Sequence, residues 1–343
     1  MLSRLPTQRV LMTKWPFESV DMTAPWLVTG GAGYIGAHVV RDMLAADFEV
    51  VVIDDLSTGN RARLPDGVVV HEIDLLDEAA TLTVLTEVRP RGVIHLAGKK
   101  QARESRSIPL EYWSVNLMGT VSLLKAMTAA GTPALLFSSS CSVYGSQAPV
   151  TEESAIRPES PYGESKAAAE MVIRDVAASS SLVAVCLRYF NVIGCADFPF
   201  AHDVATDSVI PRMVNAAVRD ERIPVYGNDR ATPDGSCLRD YIDVRDISRA
   251  HVLLAQALDR GVEVPAVCNA STGRPVSVLD MARAVNEAFG RTSDDVDIQP
   301  SHPADPSEVW ATRSPLLARF DWEPINSLDD SISAHLTSVR ALG

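Results

Sequence analysis

The sequence predicts an α/β protein with a Rossmann-type, doubly wound parallel sheet and a smaller C-terminal lobe. Short apolar segments rich in β-branched residues alternate with helical segments through the first 195 residues, which is the pattern of strand–helix–strand crossovers. A glycine-rich loop joins the first of these strands to a helix. Beyond residue 195 the pattern becomes less regular, because Pro199, Pro211, Pro224, Pro233 and Pro265 interrupt the chain.

The individual elements follow from the same pattern. The strand segments are continuously apolar rather than alternating, as is typical of parallel strands that are covered on both faces. The helical segments lie between them and predict the crossovers of a parallel sheet. We expect strands at 26–29, 49–53, 68–72, 92–96, 134–138 and 182–188, and helices near 34–46, 78–88, 110–130 and 161–180.

Composition excludes several classes of protein. The 343 residues carry a net charge of −13, and no run of Lys and Arg forms a basic patch, which argues against a nucleic-acid partner. The longest apolar run has six residues, whereas a membrane-spanning helix needs about 20. Five cysteines without a CxxC pair favour a reducing compartment, the cytoplasm. Seven histidines without an HExxH motif predict no metal site.

The loop TGGAGYIG (29–36) directly follows the first predicted strand and opens a helix. Gly30, Gly33 and Gly36 fit a dinucleotide-binding pattern, in which they permit a tight turn, a close approach to a pyrophosphate and close helix–strand packing. The helix N-terminus offers free amides to the phosphates. Asp54, 18 residues after Gly36, would bind the adenosine ribose and repel a 2′-phosphate. The loop therefore predicts NAD rather than NADP.

Three polar side chains predict alcohol chemistry. Ser140 follows a strand at the carboxyl edge of the sheet, where open α/β sheets bind ligands. Tyr162 and Lys166 are four residues apart, so they share one helix face. Tyrosine has a pKa of about 10, which a nearby ammonium lowers, and Ser140 can relay the substrate proton. The trio is predicted to deprotonate an alcohol while a hydride leaves for the nicotinamide.

These predictions divide the chain. We expect an NAD-binding domain at 25–194 that returns near 239–270, and a substrate-binding lobe formed by 195–238 and 271–343. Residues 1–24 lack an apolar segment of about 7–15 residues, so they do not resemble a signal peptide. They are predicted to be an extension, either disordered or upstream of a true start at Met22.

With these features in place, the sequence resembles the extended short-chain dehydrogenase/reductase family, and within it the UDP-glucose 4-epimerase (UDP-galactose 4-epimerase) branch. The resemblance runs from about residue 26 to about residue 340. It is carried by TGGAGYIG (29–36), VIDDLSTG (52–59), HLAGKK (95–100), IPLEYWSVN (108–116), FSSSCSVYG (137–145), SPYGESK (160–166), LRYFNVIG (187–194) and the epimerase-specific YGND…TPDGSCLRDYIDV (226–244).

The resemblance implies an isomerase of galactose metabolism that keeps NAD bound throughout its cycle. Tyr162 would take the proton of the sugar 4-hydroxyl, and the 4-keto sugar would turn over before the hydride returns. By the same resemblance, the cofactor contacts beyond the three glycines and Asp54 are Tyr34, Ile35, Asp55, Ser57, Asp74, Leu75, Leu96, Ala97, Gly98, Lys100, Asn116, Ser138, Tyr162, Lys166, Tyr189 and Phe190. The implied substrate contacts are Ser140, Tyr162, Asn191, Val209, Tyr226, Arg239, Tyr241, His302 and Asp305.

Two stretches depart from the epimerase pattern. Where the branch has Arg-Arg-x-Gly-Asp, this chain has SHPAD (301–305). The second arginine of that pattern clasps the diphosphate, and a protonated His302 is the predicted replacement. Segment 197–208 lacks the usual Gly-rich acidic sequence, which leaves the nucleotide base and the sugar open.

Alternatives and partners complete the hypothesis. Val309 falls where the epimerases bound the sugar pocket, so a UDP-N-acetylhexosamine or a dTDP-sugar stays open as the substrate. A 4,6-dehydratase would carry Asp-Glu where this chain has Cys141 and Ser142, which argues against that activity. A non-catalytic NAD-binding protein has little need of all three residues of the catalytic trio. The predicted partners are a nucleotide sugar and, through 110–130 and 161–180, a second copy in a homodimer, with no nucleic acid and no membrane.

Overall fold

The computed structural model describes residues 12–13, 21–205, 208–302 and 305–341. Apolar strands and amphipathic helices alternate in its N-terminal half. These elements are β1 (Met12–Thr13), β2 (Trp26–Thr29), α1 (Tyr34–Ala45), β3 (Val50–Asp54), β4 (Val69–Glu72), α2 (Glu78–Val88), β5 (Gly92–His95), α3 (Ala102–Ser105), α4 (Pro109–Tyr112), α5 (Gly119–Ala130), β6 (Ala134–Ser140), α6 (Pro161–Ser179) and β7 (Val183–Tyr189).

The C-terminal half has shorter strands. Its elements are β8 (Asn191–Ile193), α7 (Val209–Val218), β9 (Ile223–Tyr226), β10 (Leu238–Asp243), α8 (Val244–Asp259), β11 (Val264–Pro265), β12 (Val267–Ala270), β13 (Pro275–Ser277), α9 (Val278–Ala288), β14 (Val296–Gln299), β15 (Glu308–Val309), α10 (Pro315–Ala318) and α11 (Leu328–Arg340).

A seven-stranded parallel sheet forms the centre of the molecule, in the order β12-β7-β6-β5-β2-β3-β4. Successive residues of β2 face opposite sides, so Leu27 and Val28 lie in two different apolar clusters, one on each face of the sheet. The chain leaves β2 towards β3 and returns to β5 on the other side. This reversal creates a crevice at the carboxyl ends of the strands, where such sheets bind ligands. The predicted doubly wound α/β fold is confirmed.

The six strands predicted from the N-terminal sequence all lie in this sheet, with ends that differ by no more than two residues. The seventh strand is β12, which comes from a much later part of the chain and pairs with β7. The helix predicted at 110–130 is present, but it is not a regular α-helix along its whole length. It is divided into α4, a π-helical turn at Trp113–Met118, and α5. The turn adds a residue to the helical repeat, and it contains the buried Asn116.

The smaller lobe is assembled around β10. This strand pairs with β13 in antiparallel and with β8 and β15 in parallel orientation. A separate parallel pair joins β9 and β14. Helices α7, α9 and α11 contribute Val214, Val285 and Leu336 to the apolar core of this lobe. The register places Asn191 beside Tyr241 and Val309 beside Arg239.

The backbone near the N-terminus contributes one strand pair, between β1 and β11. The rest of the predicted extension up to residue 20 lies outside the described residues. Within the part of the chain that the structure describes, no helix is both long and apolar enough to cross a bilayer. In the same part, no group of three His, Cys, Asp or Glu side chains is placed to hold a metal ion.

Candidate functional site

The glycine-rich loop between β2 and α1 forms a cradle with no room for side chains. Gly30 has a φ of +70°, and a Cβ there would lie 2.5 Å from the amide nitrogen of Ala97. A Cβ on Gly36 would lie 2.0 Å from the Gly30 carbonyl oxygen. Helix α1 begins after Gly33, which has no side chain to cap its amides. The first turn therefore presents free N–H groups to a ligand anion.

Asp54 ends β3 beside this loop. Its carboxylate accepts hydrogen bonds from the amides of Ala32 and Leu56, each at 2.9 Å. Burial raises the pKa of this carboxyl, although the two amides oppose the effect. Asp54 thus fixes the loop and also places a carboxylate at the end of β3, as the sequence predicts for a ribose contact.

The other side chains predicted to bind the cofactor lie along the carboxyl edge of the sheet. Tyr34 and Ile35 begin α1. Most of the other residues predicted to bind the cofactor lie at or near the carboxyl ends of successive strands. These are Asp55 and Ser57 after β3, Asp74 and Leu75 after β4, Leu96, Ala97 and Gly98 after β5, Ser138 in β6, and Tyr189 and Phe190 at the end of β7.

Asn116 connects this edge to the helices. Its Oδ1 accepts from the Lys99 amide at 2.8 Å, and its Nδ2 donates to the Lys99 carbonyl and to Ser165 Oγ, both at 3.1 Å. A Cβ on Gly98 would lie 2.8 Å from Asn116 Oδ1. The π-helical turn therefore holds the Gly98 backbone close to α6.

Lys100, predicted to line the path to the nicotinamide, forms an ion pair with Asp203 across the crevice, with 2.8 Å between Nζ and Oδ2. Burial raises the pKa of Asp203, but this pairing outweighs it and the pKa is lowered overall. Arg63 Nε donates to the Phe200 carbonyl at 2.8 Å, and the Lys100 ammonium lies 5.5 Å from the centroid of the Tyr34 ring. These contacts hold the segment around Phe200 and Asp203 against the glycine-rich loop.

The catalytic trio meets at the ends of β6 and α6. Ser140 is the last residue of β6, and its Oγ accepts from the Ser142 amide at 3.1 Å. Ser160 caps α6, so Tyr162 lies in the first helical turn. The Ser140 side chain lies close enough to Tyr162 to oppose the effect of burial on the pKa of its hydroxyl. Lys166 Nζ donates to the Ser138 carbonyl at 2.8 Å. The structure thus brings together all three residues predicted from the sequence.

The electrostatics of the trio differ from the sequence-based expectation. Burial raises the pKa of Tyr162 to about 12, although the contact with Ser140 opposes it. The predicted lowering by Lys166 is therefore wrong for the chain by itself, because the lysine donates to Ser138 and burial dominates. Burial also lowers the pKa of Lys166 to about 8, so its ammonium form prevails at neutral pH.

Arg239 and Tyr241 lead the predicted substrate side. Arg239 donates to the carbonyls of Leu238 and Pro306, each at 2.8 Å, which fixes its guanidinium. Burial raises the pKa of Tyr241, and the positive charge of Arg239 opposes the effect. The Tyr241 hydroxyl is buried and has no hydrogen-bond partner among the described residues. An anionic ligand beside Arg239 would supply that partner.

Tyr226, at the end of β9, lies between two guanidinium groups. Its ring centroid is 5.8 Å from Arg103 and 5.2 Å from Arg212. Arg103 also approaches Asp305 at 3.5 Å. Val209 begins the neighbouring α7, and the His302 carbonyl accepts from Arg230 at 2.7 Å. Three of the predicted substrate residues, Tyr226, His302 and Asp305, therefore each contact at least one arginine.

Sequence reasoning missed several residues that shape the site. Glu170 lies four positions after Lys166, so the helical spacing was available as a signal. Arg188 lies in the motif LRYFNVIG (187–194) but had no assigned role, Arg103 lies in no motif, and Asp203 lies 103 residues from Lys100. Such pairings depend on the tertiary structure alone.

The profile of the NAD dependent epimerase/dehydratase family matches residues 26–269. The chain belongs to this family. Its members include the UDP-glucose 4-epimerase of Streptomyces lividans, which is 37% identical over 88% of this chain and 92% of its own length.

Two solved structures of this family match the fold and most of both chains. The UDP-glucose 4-epimerase of Bifidobacterium longum, solved with NAD⁺ and UDP, has a TM-score of 0.84 and 32% identity, and the match covers 92% of this chain and 98% of that one. The Stenotrophomonas enzyme, solved with NAD and formylated UDP-arabinopyranose, has a TM-score of 0.85 and 30% identity, and the match covers 93% of this chain and 98% of that one. The resemblance to the epimerase branch is confirmed.

Proposed function

We propose that this chain is an NAD-dependent UDP-glucose 4-epimerase, which interconverts UDP-glucose and UDP-galactose through a transient 4-keto sugar. The observation that carries the proposal is the meeting of Ser140, Tyr162 and Lys166 beside the glycine cradle. These three side chains lie at the carboxyl edge of the sheet and can act in acid–base catalysis. They adjoin the glycine-rich loop, which is suited to bind a dinucleotide. Family membership and the S. lividans relative support it.

The residues present fit NAD. Because Gly30 and Gly36 have no Cβ, the loop can pack tightly against Ala97 and against its own backbone, which is the conformation of a pyrophosphate-binding turn. The free amides of α1 would hold its phosphates, and Asp54 would hold the adenosine ribose. Tyr162 and Lys166 would lie at the nicotinamide ribose. The chemistry that NAD supplies when bound is reversible hydride transfer at C4 of the sugar, with a positive ring charge that favours a nearby phenolate.

The chain's own groups move the proton. The Tyr162 phenolate oxygen takes the proton of the sugar 4-hydroxyl and later returns it, as a general base and then a general acid. Ser140 shares its hydrogen bond with the same hydroxyl and keeps it aimed at Tyr162. Lys166 holds the end of β6 by donating to the Ser138 carbonyl.

The nucleotide half of the substrate would be held in the smaller lobe. Arg239 is already oriented by backbone carbonyls, so it loses little freedom when it binds a diphosphate. Tyr241 and Asn191 stand beside each other in the strand register. Binding at this remote end would retain the 4-keto sugar while its ring turns.

Replacing Arg239 with methionine is expected to raise KM for UDP-galactose about 10- to 100-fold and to change kcat little. The lost contact is a charge-assisted hydrogen bond worth about 1.5–3 kcal/mol, made equally to substrate and transition state. Steady-state kinetics measure the split. Arg283→Met is the matched control, because Arg283 is a partly exposed residue of α9 that pairs with Asp280 and Asp294. An R239M enzyme with unchanged KM would remove Arg239 from the substrate site.

The deciding experiment incubates the purified protein with UDP-galactose, without added NAD, and follows the sugar anomeric protons by NMR. We expect UDP-glucose to form until the two sugars reach equilibrium. Protein shown to contain NAD that forms no UDP-glucose would contradict the proposal. UDP-N-acetylgalactosamine and dTDP-galactose, run in parallel, would identify another nucleotide sugar as the substrate.

Val309 favours this second candidate. It lies beside Arg239 in the register and packs against the apolar cluster of Cys141, Val143 and Tyr144. We propose a UDP-N-acetylhexosamine as the alternative substrate, because the resemblance places this small side chain at the boundary of the sugar pocket.

We also propose that the enzyme is a cytoplasmic homodimer. The five cysteines are all free and buried, which supports a reducing compartment. Met118 and Met171 are exposed on the predicted dimer helices, at 48% and 55%, and apolar side chains of that kind support a helix-pair interface. A mass measurement in solution tests this assembly.

A further inference from the structure

Glu170 forms a buried ionic cluster that the reaction described above does not use. Its carboxylate accepts from Arg188 Nε at 2.9 Å and from Arg188 Nη2 at 2.6 Å, so the pair is bidentate. Ser139 Oγ donates to the same carboxylate at 2.5 Å. The side chains of Arg188 and Glu170 are 5% and 10% exposed. Buried pairs with complete hydrogen bonding fix geometry strongly.

This cluster adjoins the catalytic trio on two sides. Glu170 lies one helical turn after Lys166 on α6, and both residues reach the end of β6. Lys166 binds the carbonyl of Ser138, while Glu170 binds the side chain of Ser139. Ser140 is the next residue. Two side chains of helix α6 therefore form hydrogen bonds with the two residues that immediately precede the catalytic serine.

Arg188 extends this set of hydrogen bonds to the neighbouring strand, β7. It stands opposite Ser139 in the β6–β7 register. Its Nη1 donates to the Tyr144 hydroxyl at 2.7 Å, and Tyr144 donates to Asn269 on β12 at 2.8 Å. The backbone on both sides of Ser140 is thus held by one connected set of hydrogen bonds.

Glu170 is also the negative charge that faces Lys166. The Phe137 ring lies 4.8 Å from the ammonium and carries no charge. Burial lowers the pKa of His95 to about 3, and burial raises the pKa of Cys186 well above its usual value. Tyr162, with its raised pKa, is neutral as well. Burial lowers the pKa of Lys166, and Glu170 is the largest effect that opposes it.

We propose that Glu170, clamped between Arg188 and Ser139, is a positioning residue that holds Lys166 at the end of β6 and supplies the negative charge its buried ammonium requires. It is not placed in contact with substrate or cofactor, and it acts on the reaction through Lys166 and through the end of β6 that carries Ser140. The inference rests on the proposed function where it concerns catalysis. Its claim about the charge of Lys166 stands without that function.

The test compares Glu170→Gln with the native enzyme. Glutamine keeps the size and the hydrogen bonds to Ser139, but it removes the charge. The chain has five lysines, so the Lys166 side chain is resolvable by ¹³Cε NMR and assigned with Lys166→Met. We expect its titration midpoint to fall by about one pH unit, because a nearby carboxylate shifts a pKa by about 1–3 units. The alkaline limb of the kcat profile is expected to fall with it, at unchanged KM.

Glu164→Gln is the matched control, since Glu164 is an exposed residue of the same helix. It should leave both the NMR midpoint and the kcat profile unchanged. If E170Q fails to fold, the double variant E170Q/R188M replaces both charges and avoids an unpaired buried arginine. Its Lys166 midpoint should lie below that of Arg188→Met alone, because the two proteins differ only in the charge of residue 170.

A Lys166 midpoint that stays at its native value in folded E170Q, or at the R188M value in the double variant, would overturn the proposal. A lowered midpoint in a protein that converts no UDP-galactose would support the Glu170 inference and reject the proposed function. A midpoint that falls equally in E164Q would also overturn it, because a general charge effect would then explain the shift.

Discussion

Replacing Tyr162 with phenylalanine is expected to lower kcat for UDP-galactose epimerisation by about 10³- to 10⁴-fold. The phenolate oxygen is the only proton acceptor that the proposed mechanism places at the sugar 4-hydroxyl, and a positioned general base contributes about 10²–10⁴-fold. The variant should still bind NAD, because the glycine cradle and Asp54 are untouched. Single-turnover measurements with NAD-containing protein give the rate.

Tyr112→Phe is the control for this change. Tyr112 packs edge-on against Tyr162 at 6.2 Å between ring centroids, and its hydroxyl donates to Glu104 at 2.6 Å, away from the catalytic serine. We expect it to change kcat less than tenfold. Turnover that survives in Y162F would show that another group moves the proton, and the assignment of the trio would then be abandoned.

Replacing Gly36 with alanine is expected to yield protein that is purified without NAD. The added Cβ would lie 2.0 Å from the Gly30 carbonyl oxygen and 2.8 Å from Gly31 Cα, and neither backbone atom can move without opening the cradle. Overpacking of this kind costs about 1–3 kcal/mol or more, which corresponds to a loss of roughly 10- to 100-fold in NAD affinity. Absorbance of nucleotide released by heat denaturation measures the NAD content.

Gly119→Ala serves as the matched control for G36A. A Cβ on Gly119, at the start of α5, would meet only Leu75 Cβ at an ordinary contact distance of 3.6 Å, and alanine favours the helix. Its NAD content should equal that of the native protein. Full NAD occupancy in G36A would mean that the loop does not hold the pyrophosphate as proposed.

Local patterns determined most of the larger domain. Five of the six predicted strands are short apolar runs buried on both faces, whereas β4 lies at the edge and is largely exposed. The glycine loop could be predicted because its spacing depends on one strand–helix turn. The break of the helix at 110–130 could not be predicted in this way. Residues 113–118 have an ordinary helical composition, and the π-helical turn places Asn116 against Lys99 and Ser165, which lie on other elements.

The same division holds for the candidate site. Tyr162 and Lys166 could be predicted as a pair because four residues on a helix share a face whatever surrounds them. Their pKa values could not, since burial by neighbours distant in sequence raises that of Tyr162 and lowers that of Lys166. The raised pKa of Tyr162 shows that burial has a larger effect than the lowering by Lys166 that the four-residue spacing predicted.

The sequence by itself determined the fold class and the family, and it predicted the dinucleotide loop and the catalytic trio, because each depends on residues that are close along the chain. Only the tertiary structure decided which charges meet. It pairs Lys100 with Asp203, brings Arg103 to Asp305 and clamps Glu170 between Arg188 and Ser139. The physical reason is that electrostatic and hydrogen-bond energies depend on distance and burial in space, and the sequence does not specify these until the chain has folded.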